Sequence, residues 1–467
     1  MAQPAIAQHA AGNQILSGLV GKYYLAGSAL SGHLLGERMR HYRVPAVSIA
    51  VVDNYHVVWT HAAGPRDIAS KAPASTTTLF QAASMSKPVA AAAILRLFED
   101  KHVSLDVDVN TLLKSWRIPP SPESTSEHVT MRRLLSHSAG INVSGFAGYD
   151  RDAALPTLVQ ILNGVAPANS EAIRVTSIPG SKTEYSGGGT SIAQQVATDM
   201  RGQPFAQFMQ QTLLAPLSMT QSTFDQPLPR SLWPRAAHGY YSDERPVHRG
   251  WHVYPTMAAA GLWTTPTDLA KFVIAIQNAL RREATSPIDS TVAREMTTTA
   301  STPFGLGPEV EPGYFSHSGA NEGFQGIFYG LMSGGKGVVV MTNSDNGLLL
   351  ADEIVHAVAK TYNWPVLRPQ PKKAVALNAA AMQAVAGKYT GEVSGERMTL
   401  DITYARNRGA GVLLFRDPVV PGIQQQLYAD GPLQFFTLSG GTLVFSRGGN
   451  GKVTSVEALG MKFARIR

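Results

Sequence analysis

Apolar, β-branched runs lie at both ends of the first 360 residues of this chain, and helical periodicity fills the stretch between them. Residues 11–43 read as an amphipathic helix closing at Arg43-Val44-Pro45. AVSIAVVDNYHVVWTHAAG then carries two strand-like runs parted by Asp53-Asn54, a hairpin signal. From Leu79, LFQAASMSKPVAAAAILRLFED is an apolar helix, with Pro88 near its start where a missing N–H matters least. DVDVNTLLKSW follows, then a Pro- and Ser-rich loop (Pro119 to Ser126) and the helix VTMRRLLSH, ended by Gly140. Residues 150–220 read as mostly helical, broken at Ser177-Ile178-Pro179-Gly180 and at Glu184-Tyr185-Ser186-Gly187-Gly188-Gly189. GLWTTPTDLAKFVIAIQNAL has a Thr/Pro/Asp helix start before a periodic apolar face. Strands follow at YFSHSG, GFQGIFYGLM and GVVVMTN, with Ser333 to Gly337 as a hairpin turn, and ADEIVHAVAKTY is a last helix.

This order predicts an α+β fold, an antiparallel sheet built from both ends of the stretch and flanked by helices, with a helical subdomain. NWPVLRPQPKK is Pro-rich and basic and reads as a linker. Beyond it, GKYTGEV, RMTLDITYA, GVLLFRD, QQLYAD, LQFFTLSG, TLVFSRG, KVTSVEALG and MKFARIR are short strands at even spacing, predicting a small all-β barrel. The expected division is residues 1–363, a linker at 364–375, and a barrel over 376–467.

Composition narrows the chemistry. The 467 residues, 44% hydrophobic and 16% charged, are those of an ordinary globular protein with a large core. Without cysteine, disulfides, thiol chemistry and thiolate metal sites are excluded. No apolar run reaches the ~18 residues of a membrane span, so no integral membrane segment is expected. The opening MAQPAIAQHAAG lacks the basic and apolar regions of a signal peptide. It is read as the start of a periplasmic or secreted chain with its signal removed, with a cytoplasmic protein as the alternative. Of the net charge of +7, residues 371–467 hold 12 Lys and Arg against 6 Asp and Glu. No nucleic-acid motif accompanies that charge, so a nucleic-acid partner is not expected.

Chemistry concentrates at Ser84-Met85-Ser86-Lys87. Positions i and i+3 share a helix face, which puts a hydroxyl and an amine within reach. A serine becomes a good nucleophile when a neighbouring base takes its proton, and a lysine is such a base where its surroundings favour the amine. Tyr185, in a Gly-rich turn, supplies a phenol able to relay a proton. His317-Ser318-Gly319, on a strand, can lay backbone donors beside a nucleophile, and small residues there admit a substrate. His248 and His252 have i, i+4 spacing but no third ligand, and no metal or cofactor is expected. Ser333 to Gly337 lacks the spacing of a P-loop. Asn142-Val143-Ser144 is a glycosylation sequon in spelling, and His137 reads as a capping or packing residue.

Ser84-x-x-Lys87, Tyr185-x-Gly187 and His317-x-Gly319, with TLFQAASMSKP, RLLSHSAGI, GLWTTPTDLAKF and HSGANEGFQG, resemble the penicillin-recognising serine hydrolases. These are the class C β-lactamases, DD-peptidases, D-amino-acid peptidases and their esterase relatives. The resemblance spans about residues 35–360. It implies Ser84 as nucleophile, Lys87 and Tyr185 as the acid/base pair, and His317 to Gly319 as the substrate strand. It also implies an oxyanion hole from the N–H groups of Ser84 and Ala320. The tail is similar to the lipocalin-like domain of some such peptidases. Two departures stand out: Gly187 replaces the usual Asn, and His317 replaces the usual strand Lys. Both favour esters or small peptides over lactams. The implied enzyme works through an acyl-enzyme on a small-molecule ester or D-amino-acid-containing peptide. A DD-carboxypeptidase or weak β-lactamase, an acyltransferase and a non-catalytic cell-wall-fragment binder are the alternatives, with the oligomeric state open. At Gly187 the turn allows positive φ, which would strain a larger residue.

Overall fold

The computed structural model describes residues 3–283, 286–299, 303–393, 396–407, 410–416, 423–458 and 460–466. The chain forms two compact units, Val44–Leu348 and the combination of Met1–Arg43 with Leu349–Arg467.

The Val44–Leu348 unit is built on a six-stranded antiparallel sheet. Its strands run Glu309–Glu311, Tyr314–Asn321, Phe324–Leu331, Gly337–Thr342, Val47–Asp53 and His56–Ala63 in spatial order. The expected hairpin is present: Asn54 and Tyr55 both take left-handed backbone at its tip. Val338 to Met341 and Val47 to Val52 are buried, consistent with central strands covered on both faces.

The helix Ser86–Asp100 runs through the core of this unit. From Ser86 to Leu95 every residue is buried, which is why the sequence there is apolar all round rather than striped. The helical subdomain is less regular than its composition suggests. Between residues 150 and 220 the helices are Leu158–Asn163, Gly187–Arg201 and Phe205–Met209, the last continued by one π turn. Gly164 and Gly202 end two of them in left-handed conformation.

The second unit corrects the N-terminal expectation. Residues 11–43 are not one helix but the end of Gln3–Leu16, a strand Tyr23–Leu25, and a helix Leu35–Tyr42. Gly21 breaks the pattern because any side chain there would run into the Leu438 carbonyl. The Tyr23–Leu25 strand pairs in parallel with Gln370–Lys372, inside the stretch that reads as a linker. The eight predicted tail strands are all present. They close into an antiparallel barrel, the first and last joined at Tyr389↔Arg465 and Thr390↔Ala464. Tyr389, Leu400, Phe415, Phe435, Phe445 and Phe463 fill its core.

Candidate active site

Ser84 lies on a 3-10 turn, Ala83–Met85, that runs directly into the Ser86–Asp100 helix. Ala83 holds φ at +50°, a left-handed conformation that costs an L-residue about 1–2 kcal/mol. From Thr78 to Leu95, Ser84 is the single residue that is not buried. The turn is pinned by Ala82 N–H to the Leu262 carbonyl, 2.8 Å, and by Leu262 N–H to Ser86 Oγ, 3.0 Å.

Lys87, buried, donates from Nζ to Ser84 Oγ at 2.9 Å and to the Ala259 carbonyl at 2.9 Å. Its Nζ also stands 4.9 Å from the centre of the Tyr185 ring, a cation–π contact. The Tyr185 hydroxyl makes no hydrogen bond among the described residues, so the phenol meets the lysine through its face.

Tyr185 immediately precedes the cap of the Gly187–Arg201 helix, where Ser186 Oγ accepts from Gly189 N–H at 2.8 Å. His137 brackets it. Glu184 N–H donates to the His137 carbonyl at 2.8 Å, and Ser186 N–H donates to His137 Nδ1 at 3.1 Å. The two rings lie 4.4 Å apart. His137 thus packs, as its reading as a capping or packing residue expected, and it does so against Tyr185. The helix ends at Leu135, and His137 turns left-handed, which swings its ring into the site. With Nδ1 accepting, the neutral ring carries its proton on Nε2, which is buried without a partner among the described residues. Burial first, then the Lys87 charge, hold its pKa well below the ordinary histidine value.

His317 is buried with its ring 6.2 Å from that of Tyr185. Its Nδ1 pairs with the Ser318 carbonyl, which can only accept, so Nε2 bears the lone pair. Nε2 too is buried and unpartnered among the described residues. Burial, then the Lys87 charge, push its pKa down to about 3. The strand position that carries a lysine in the resembling enzymes therefore holds a neutral acceptor.

The Tyr314–Asn321 strand passes directly over the Ser84 turn. A side chain at Gly319 would run into the Ala82 carbonyl and stand 3.0 Å from Ser84 N. The neighbouring strand Glu309–Glu311 pairs only with Tyr314 to Ser316, leaving the edge unpaired from His317 onward among the described residues. Ser318 is half-buried and Ala320 exposed on that open edge. Asn321 anchors its end, donating to Gln81 Oε1 at 2.8 Å and to the Ala260 carbonyl at 3.1 Å.

Gly187 departs from expectation. It is the first residue of a helix rather than a positive-φ turn, and what limits a side chain there is packing. A Cβ would stand 3.0 Å from the Ser144 carbonyl and 3.2 Å from Phe146 Cε2. The half-buried Phe146 ring thus occupies the flank of the site that an Asn would use. Sequence reasoning missed Phe146 and Ala259 because neither belongs to a quoted motif, and it gave no role to Asn321 although that residue lies in HSGANEGFQG. His137 sat in a quoted stretch, RLLSHSAGI, and its role was visible only in three dimensions.

A β-lactamase family profile matches residues 33–362. The esterase EstB of Burkholderia gladioli is 27% identical over 200 residues, 40% of this chain and 49% of EstB. The chain spans between about a third and a half of the length of the curated relatives it matches. Among solved structures, the octameric penicillin-binding protein homologue of Pyrococcus abyssi superposes with a TM-score of 0.61 at 21% identity, covering 93% of this chain and 98% of that one. The D-amino acid amidase of Ochrobactrum anthropi SV3 superposes with a TM-score of 0.58 at 21% identity, over 76% of this chain and 98% of the amidase.

Proposed function

The chain belongs to the β-lactamase family, whose esterase and amidase relatives indicate a serine hydrolase, and we propose that it cleaves esters or small peptides through an acyl-enzyme on Ser84. The observation that carries this reading is the 2.9 Å contact between Lys87 Nζ and the one solvent-reaching hydroxyl of the Ser84 turn, beneath an open strand edge.

In the forward step the Lys87 amine, held by the Ala259 carbonyl, takes the Ser84 Oγ proton as Oγ bonds to the substrate carbonyl carbon. The oxyanion is received by the N–H groups of Ser84 and Ala320. Tyr185 delivers a proton to the departing oxygen or nitrogen and is reprotonated from Lys87. Water then repeats the sequence on the acyl-enzyme and releases the acid.

Two features support esters lacking an acylamido group as the preferred class. Gly187 offers no carboxamide and Phe146 lines the flank instead. His317, neutral and buried, supplies no cation for a substrate carboxylate. The test compares p-nitrophenyl butyrate, an N-acyl-D-alanyl ester and nitrocefin. The native protein should turn over the butyrate fastest. Gly187→Asn combined with Phe146→Ala, which makes room, should raise kcat/KM about 2- to 13-fold for the acylamido substrates alone, the worth of one hydrogen bond of about 0.5–1.5 kcal/mol. A native preference for nitrocefin, or an equal gain on all three in a stable variant, would refute the assignment of substrate class.

A further inference from the structure

Outside the catalytic site, a cavity with a polar, hydrogen-bonded wall lies in the second unit, where the N-terminal residues meet the barrel. A cavity of about 330 Å³ opens there, lined by the Leu35–Tyr42 helix, the Tyr23–Leu25 strand and the barrel strand Gln424–Ala429. That volume lies within the range of about 300–1,000 Å³ typical of small-molecule sites.

The cavity wall is a built one. Arg38 grips Glu353 from Nε and Nη2, both at 2.7 Å, and Tyr42 Oη joins both partners at 2.7 Å. The two charges cancel, so this wall presents no net charge. Arg38 Nη1 remains without a hydrogen-bond partner among the described residues. Gln425 Oε1 accepts from Ser439 Oγ at 2.6 Å, which fixes the amide, and its two N–H donors have no hydrogen-bond partner among the described residues. Tyr428 is held against Phe436 with ring centres 5.7 Å apart. The frame is tied by Tyr23 N–H to the Leu438 carbonyl, 2.9 Å, and by the close approach of Gly21 to the same carbonyl.

We propose that this cavity is a binding site for a neutral carbohydrate, distinct from the hydrolytic site. A sugar has an apolar ring face and a rim of hydroxyls that both donate and accept. Tyrosine rings, amide edges and a charge-neutralised guanidinium match that pattern, whereas a phosphate or carboxylate would require an uncompensated cation. His41, which also lines the cavity, is held below the ordinary histidine pKa by burial and then by Arg38, so it adds no charge near pH 7.

The test is saturation-transfer NMR and calorimetry on the full chain with chitotetraose, cellotetraose and maltotetraose, and with inorganic phosphate as the anionic probe. At least one neutral oligosaccharide should bind saturably. Gln425→Ala and Tyr428→Ala should each weaken it by about tenfold or more while ester turnover stays unchanged. If Tyr428→Ala fails to fold, the half-buried Gln425→Ala decides alone. No saturable sugar binding at millimolar concentration, binding untouched by Gln425→Ala, or phosphate binding more tightly than every sugar would each overturn the proposal.

Discussion

At the scale of single residues, His137 links two facts that no motif connects: Tyr185 lies over Lys87, and both neighbours of Tyr185 are hydrogen-bonded to one histidine. If His137 acts by positioning Tyr185, an acceptor at the Nδ1 site should suffice. Asn supplies one, and it tolerates the left-handed backbone at φ +57°. His137→Asn should therefore retain most of kcat. His137→Ala leaves the Ser186 N–H unpaired, which should cost about 1–3 kcal/mol of stability. It should also lower kcat by about tenfold or more with little change in KM. Equal losses in both variants would show that the ring itself, not its acceptor, is what the site needs. Ser84, Lys87 and Tyr185, the proposed nucleophile, base and proton relay, could be picked out because that chemistry demands particular residue types. His137 could not, because a ring's direction after a helix end depends on one φ angle.

At the scale of elements, the proposed reaction places the substrate carbonyl where the Tyr314–Asn321 strand approaches the Ser84 turn. Gly319 makes that approach possible, since a side chain would strike the Ala82 carbonyl. Gly319→Ala should push the strand edge outward, and displacements near 1 Å can cost about 10²-fold in rate. Overpacking at such a contact also destabilises by about 1–3 kcal/mol. Measured kcat/KM should fall about 10²-fold with a modest drop in Tm, while near-native turnover would mean the strand does not frame the reacting carbonyl. The sheet, its hairpins and the barrel strands were readable from apolar β-rich runs, even spacing and turn residues. The N-terminal stretch was not: its residues carry a helical pattern, but Gly21 and the pairing of Tyr23–Leu25 with Gln370–Lys372 are tertiary and override it.

At the scale of the whole molecule, three imidazoles among the described residues, those of His137, His317 and His356, are buried with lowered pKa values, and this couples stability to pH. His317 has a folded pKa of about 3, below the unfolded value near 6.5. Below pH 6.5 the unfolded chain therefore binds a proton that the native one refuses, and stability falls as pH drops towards 3. The slope is up to about 1.4 kcal/mol per pH unit for each such group. Asp345 works in the opposite sense, since burial raises its carboxyl to about 6 and folding then favours its proton. A comparison isolates the histidine: between pH 7 and 4.5, His317→Gln should lose less unfolding free energy than the native protein. Parallel denaturation curves would mean that His317 is protonated in the fold.

In the proposed reaction Ser84, activated by Lys87, is the nucleophile, and covalent labelling reports on that residue without any substrate. A fluorophosphonate probe reacts with a serine only where a base and an oxyanion site are assembled around it. Intact-mass and peptide spectra should show one adduct, on Ser84, absent in Ser84→Ala and formed far more slowly in Lys87→Ala. An unlabelled native protein, or an adduct that persists in Ser84→Ala, would rule Ser84 out as the nucleophile.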